Sequence, residues 1–567
     1  QVSANGVKMV QFDKDDIEAM GLVKLDVLGL RMLACLSEAL ELAQRHERLD
    51  IDLDELPLDD EGVFELIRSG KTMAMFQIES MGQMHLIAKN QPETFDDLIA
   101  EIALFRPGPL QGGMVHPFIR RRRGEEPVAY DHPDLEPLLK DTYGIILFQE
   151  QVLEVAHCFA GMPLAEADDF RSLMSKVHDP VKMEDMRERF ISGAMDRGVD
   201  ADSAHEVFDK VSKFIGYGFC RSHAAAFART VYQSAWMKRY HPAAHMAAFM
   251  QHRPGMYSLM TLEEESRRFG VPVLPPSINE SGTRYDLEPV ENGALAIRKP
   301  LTSVTGLSEE IAGKIVWGRL QGPFQSVEDF VMRVVIPRDN LDALARAGTF
   351  DSICESSRRA LWEAGVLDRR HESYQKKDTL FAMPLLSEDD VPDLPELTAS
   401  ERLSWDYQTH GASRLHSVVL ARRALDDLGV LTVQSASRMV PIGSKSDSRS
   451  AQSNRDWGET GPVVQMGGLV IMRQRPPTAK GFMFLTIEDE TGFIQCVVHP
   501  KLQERLYDTL IQPSLILSGE LQAAGNWRGL VLADAWPMEG VFGGYVGLPS
   551  TSGGKDRLSL APEDRAA

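Results

Sequence analysis

HAAAFARTVYQSAWMKRYH (residues 223–241) repeats its apolar residues at three- and four-residue spacing, the period of a helix with one buried face. The same spacing runs through RMLACLSEALELAQRH (31–46), TFDDLIAEIALF (94–105) and QEQVLEVAHCFAG (149–161), so residues 31 to 270 read mainly as helices. RPGPLQGG (106–113) interrupts them, because two prolines and three glycines in eight residues sustain neither helix nor strand. From residue 462 the period changes. PVVQMGGLVIMRQRP, GFMFLTIEDETGFIQCVVHP and SLILSGELQAAGNWRGLVLADAWPM read as short strands separated by glycine-bearing turns, and the expectation is an OB-fold barrel.

The chain has 567 residues, too many for one core, with 43% hydrophobic and 25% charged residues, a folded and multidomain composition. Its formal charge of −22 means that a polyanion could be held only by local basic patches. The cysteines Cys35, Cys158, Cys220, Cys354 and Cys496 form no C-x-x-C pair, which argues against a zinc site or a disulfide framework and fits a reducing cytoplasm. The first stretch, QVSANGVKMVQFDKDD (1–16), has no apolar core of the kind a signal peptide needs, and nowhere do 18 apolar residues run together.

Between the helical block and the strands, LTSVTGLSEEIAGKI (301–315) resembles a helix-hairpin-helix turn, with Val304 before it, Gly306 in it and Ser308 capping the next helix; otherwise it is a loop joining two core helices. Residues 383–400 and 441–461 read as linkers around a short helical piece.

Three constellations could carry chemistry. Arg106 precedes the glycine-rich loop and Arg120, Arg121, Arg122 and Arg123 follow it; four consecutive arginines cannot share one buried face, so they meet phosphate or form a solvated run balanced by Glu125 and Glu126. GYGFCRSHAAAFA (216–228) sets Tyr217, Arg221, Ser222 and His223 before a helix, whose start favours an anion such as a triphosphate; ordinary packing is the alternative. In GLVKLDVLGL (21–30) Asp26 stands among apolar neighbours with Lys24 two residues before it. On a strand the two share a face, either as an ion pair or as a metal-binding acid beside a phosphate-binding lysine. Arg171, on the helix of DDFRSLMSK (168–176), is by itself an ordinary surface residue, and TYGIILFQEQV (142–152) is by itself core.

Taken in order, QFDKDDIEAMGLVKLDVLGL (11–30), MFQIES (75–80), LFRPGPLQGGMVHPFIRRRRGEEP (104–127), YGIILFQEQV (143–152), GYGFCRSHAAAFA and YHPAAHMAAFM (240–250) resemble the bacterial C-family DNA polymerases, relatives of the polymerase III alpha subunit. RPGMYSLMTLEEESRRFGVPVLPP (253–276) is most like the damage-inducible translesion branch. The resemblance implies a mainly α, multidomain chain: a remnant of an α/β palm at 1–31, fingers at 32–285, and a tandem helix-hairpin-helix and clamp-binding region at 286–382. An acidic linker with a short helical segment would follow at 383–461, then an OB-fold at 462–542 and a disordered tail at 543–567.

It also implies roles. Asp26 would be one of three catalytic aspartates holding two Mg²⁺ ions. Lys24, Arg171, Tyr217, Arg221, Ser222 and His223 would meet the incoming deoxynucleoside triphosphate. Arg106, Arg120 to Arg123, Val304 and Gly306 would meet primer-template DNA, and Leu380 and Phe381 of QKKDTLFAM (375–383) the sliding clamp. Accessory mutagenesis proteins are further implied partners. The chain departs from the family at three places: Ser172 stands where a second arginine is usual, Lys377 takes the glutamine position of the clamp motif, and no PDxDxDF motif is present. The last departure implies that the chain alone is inactive, with two aspartates and the PHP domain upstream. Other readings are a fragment of the main replicative alpha subunit, a non-catalytic DNA-binding scaffold and, with little support, a metal-dependent nuclease.

Overall fold

The computed structural model describes residues 2, 6–25, 27, 29–106, 113–175, 180–212, 219–291, 293–375, 386, 391–440, 459–476, 479–524 and 527–538. Asp26, Tyr217, Leu380, Phe381 and the 543–567 tail lie outside the described residues.

The helix Arg31–Glu47 shows why the first block folds as it does. Met32, Cys35, Leu36, Ala39, Leu42 and Ala43 fall on one face at helical spacing and are all buried. They share a core with the helices Glu61–Arg68, Met81–Asn90, Phe95–Leu104, Arg221–Tyr240 and Pro242–His252. A second core sits under residues 135–211, where Phe159, Phe170, Phe190 and Phe208 pack ring against ring, stacked only between Phe170 and Phe190. The block read as one helical unit is therefore built on two cores.

Three short strands follow, β1 (Val273–Leu274), β2 (Asp286–Pro289) and β3 (Leu295–Arg298), in the order β1-β3-β2. The helices Glu309–Gly318, Val327–Arg333, Arg338–Arg346 and Ser357–Gln375 then enclose a third core around Val304, Phe324, Phe330 and Phe350. The short helical piece expected after it is the helix Ala399–His410 with the turns behind it.

The last unit is a closed five-stranded barrel of β4 (Glu459–Gln474), β5 (Met483–Asp489), β6 (Gly492–Val498), β7 (Ser514–Ala524) and β8 (Trp527–Pro537), in the order β4-β5-β6-β8-β7. Neighbours are antiparallel except β6 and β8. Two short helices, Pro500–Arg505 and Tyr507–Leu510, bridge β6 to β7. Gly519 sits at a register shift in β7, where a Cβ would lie 2.3 Å from the Val531 carbonyl oxygen, so only glycine fits. The barrel touches the helical body: Arg268 donates to the buried Glu488 of β5 at 2.9 Å, and His85 stacks on Trp527 at 4.3 Å.

The strand considered for 21–30 is not seen among the described residues, and Val23, Leu25 and Val27 are 83%, 80% and 98% exposed. A strand needs a neighbour for its N–H and C=O groups, and no described segment pairs with this one.

Candidate nucleotide and nucleic-acid site

The sequence places a helix start at residue 221 because Phe219 is held extended. It bridges Phe148 as an isolated parallel pair, and the Gln149 N–H donates to its carbonyl at 3.0 Å. Four cationic or titratable side chains gather at this bridge. Arg106 lays its guanidinium 3.5 Å from the centre of the Phe219 ring, and burial lowers its pKa. Arg171 donates to Asp168 at 2.8 Å and to the Gln149 side-chain oxygen at 3.2 Å. Arg221 pairs with Asp96 at 3.4 Å, with 46% of its own side chain exposed, and stands 5.6 Å from the Phe148 ring. His223 is exposed, its ring 5.2 Å from that of Phe219 and 4.3 Å from that of Phe227.

Two residues dismissed as core hold this arrangement. The carboxylate of Glu150 accepts the Arg221 N–H through both oxygens at 3.0 Å and receives the Cys220 thiol at 3.2 Å. Ser222 shares a 2.9 Å contact with that thiol. Burial raises the pKa of the neighbouring Glu154, opposed by the charge of Arg221 and aided by that of Glu150. The signal in the sequence was the pair Gln149–Glu150 ending an otherwise apolar run.

The arginine run divides in two. Arg122 is 10% exposed, donates to both oxygens of Asp97 at 2.9 and 2.7 Å, and donates also to the Asn90 carbonyl. Asp97 itself caps the Phe95–Leu104 helix. Burial alone would raise the Asp97 pKa, but the Arg122 hydrogen bond and the backbone donors outweigh it and hold it below the ordinary value. Arg121 is mostly buried and donates to Glu126 at 3.1 Å and to the Tyr143 carbonyl at 2.9 Å. Arg120 and Arg123 are 55% and 46% exposed, in pairs with Glu126 and Glu125. Beneath the run Glu101 is fully buried, pushed up to about 8 by desolvation, a feature that an acid inside an apolar helix hinted at.

In the hairpin region Gly306 takes φ +88° and its carbonyl accepts from Asn340 at 2.8 Å, while Ser308 caps the next helix. Val304 is a core residue, 1% exposed, so only its backbone could face a ligand. Thr305 leans on the Thr409 carbonyl, which braces the turn. Lys24 is exposed. Among the described residues no group of three His, Cys, Asp or Glu side chains is placed to hold a metal ion, so the donor set of a two-metal site is not found there. Nor is any described helix long and apolar enough to cross a membrane.

The bacterial DNA polymerase III alpha subunit finger domain matches residues 32–198, and a helix-hairpin-helix motif matches residues 270–361. The error-prone DNA polymerase of Corynebacterium efficiens is 39% identical over 503 residues, 88% of this chain and 44% of that protein. Those of Nocardia farcinica and Teredinibacter turnerae are 38% and 36% identical over 92% and 96% of this chain, and 44% and 50% of their own lengths. The chain thus spans about half the length of the curated relatives it matches.

Proposed function

We propose that the chain belongs to the bacterial DNA polymerase III alpha-subunit family and forms part of an error-prone, DNA-templated DNA polymerase acting in damage-induced mutagenesis and translesion synthesis. The observation that carries the reading is the similarity to error-prone DNA polymerases over nearly the whole chain. In this reading Arg171, Arg221 and His223 receive the triphosphate, with Ser222 at the helix start and Tyr217 against base or sugar. The gathering of Arg171, partly exposed, and Arg221 and His223, both exposed, around one aromatic bridge supports it. Their work is electrostatic: they hold the triphosphate in place and favour the charge that develops on pyrophosphate.

Arg106, Arg120 and Arg123 meet the DNA backbone, and the Val304–Gly306 turn grips duplex phosphates through its main chain. The barrel's closed strand order and its bridging helices support an OB-fold, which would bind the single-stranded template. In this reading Asp26 would be one of the carboxylates that hold two Mg²⁺ ions in a complete enzyme, and Lys24, two residues before it in sequence, would meet phosphate. Leu380 and Phe381 engage the sliding clamp, accessory mutagenesis proteins join, and the enzyme works in the cytoplasm.

Primer extension tests the reading. The 567-residue chain should extend nothing, while a polypeptide carrying the upstream sequence should copy a primed template. Extension by the shorter chain would sink the claim that metal ligands lie upstream. Failure of the longer one would sink the polymerase reading.

A further inference from the structure

We propose that Gln149 and Glu150 are positioning residues of the nucleotide site, tying the start of the Arg221–Tyr240 helix to Arg171. The inference rests on the polymerase reading above.

These two adjacent residues reach two separate segments, 219–221 and the helix that carries Arg171. Gln149 gives its N–H to the Phe219 carbonyl at 3.0 Å and its side-chain oxygen to Arg171 at 3.2 Å. Glu150 takes the Arg221 N–H on both oxygens at 3.0 Å and the Cys220 thiol at 3.2 Å. Cys220 occupies the cap position of a 20-residue helix yet makes no side-chain cap bond of its own. The cap is supplied from the other segment, and a carboxylate is the group that the positive end of a helix favours.

Glu150 takes the main-chain N–H and leaves the Arg221 guanidinium outward, 46% exposed, so it orients the cation without consuming it. Arg171 is fixed from two sides, by Gln149 and by Asp168. The result is a set distance between the two cations. A triphosphate spanning them needs that distance, because binding energy from a misplaced cation is lost to reorganisation.

The test uses the polymerase extended upstream and measures single-nucleotide incorporation, primer-template affinity and thermal midpoint. Glu150→Ala should raise the KM for the nucleotide about tenfold by releasing the helix start that places Arg221, while kcat and DNA affinity change little and the midpoint falls only by the few degrees that a lost helix cap costs. Glu150→Gln keeps an acceptor and should return KM to within about threefold of the parent. An unchanged KM in the alanine variant would overturn the proposal. So would a loss shared equally by stability and DNA affinity that glutamine does not rescue. If the unsubstituted polymerase incorporates nothing, the reading beneath has failed instead.

Discussion

Arg122→Ala separates the structural arginines from those facing solvent. Arg122 and Asp97 are 10% and 14% exposed and share two hydrogen bonds of 2.9 and 2.7 Å, and Arg122 also satisfies the Asn90 carbonyl. Breaking a fully buried pair costs about 3–5 kcal/mol because the remaining charge is stranded; the residual water access here reduces that to roughly 2–3 kcal/mol. Asp97 cannot swing out to water, since it caps the helix at Phe95. In a calorimetric melt, the transition of the helical body should fall by about 5–10 °C.

Arg123→Ala, whose partner Glu125 is 49% exposed, should move it by no more than about 1–2 °C. Because the Asp97 pKa is depressed, the pair's contribution is present above the ordinary carboxylate range and is lost as pH falls through the folded-state value. The gap between parent and Arg122→Ala should therefore close in acid. Equal melting of the two variants at neutral pH would refute the division of the arginine run.

Three other outcomes follow from the same geometry. Arg120→Ala and Arg123→Ala should each reduce the slope of log affinity for duplex DNA against log salt by about 0.9, the effect of one phosphate contact, measured by fluorescence anisotropy. Glu101→Gln should flatten the pH dependence of stability. The buried acid has its pKa raised from 4.5 to about 8, so the parent loses stability as pH rises through that interval; thermal midpoints at pH 5 and 8.5 should show the variant ahead only at the higher pH. Gly519→Ala drives a Cβ to 2.3 Å from the Val531 carbonyl and should lower the barrel transition by several degrees, corresponding to roughly 2 kcal/mol, without altering the melt of the helical body.

The helical block and the barrel were legible because their periods are strong: Cys35, Leu36, Ala39 and Leu42 mark one helix face, and Leu485, Ile487, Ile494 and Cys496 mark the barrel interior. The second helical core was not, since Phe159, Phe170, Phe190 and Phe208 come together from four places and look locally like any amphipathic helix. The described residues of GLVKLDVLGL form no strand for a related reason. Its β-rich composition describes a strand only when a neighbour supplies hydrogen bonds. At the site, Arg171, Arg221 and His223 were marked by residue type, and the structure brings them to one aromatic bridge. Glu150 escaped because its partner is a main-chain N–H 71 residues away, and main-chain donors leave no trace in side-chain spacing.

The most direct measurement is single-nucleotide incorporation by the upstream-extended polymerase with Arg221→Ala beside the parent. A triphosphate seat at the Phe148–Phe219 bridge requires the KM for the nucleotide to rise about tenfold or more with primer-template affinity unchanged. An unchanged KM, or a loss confined to DNA binding, would contradict it.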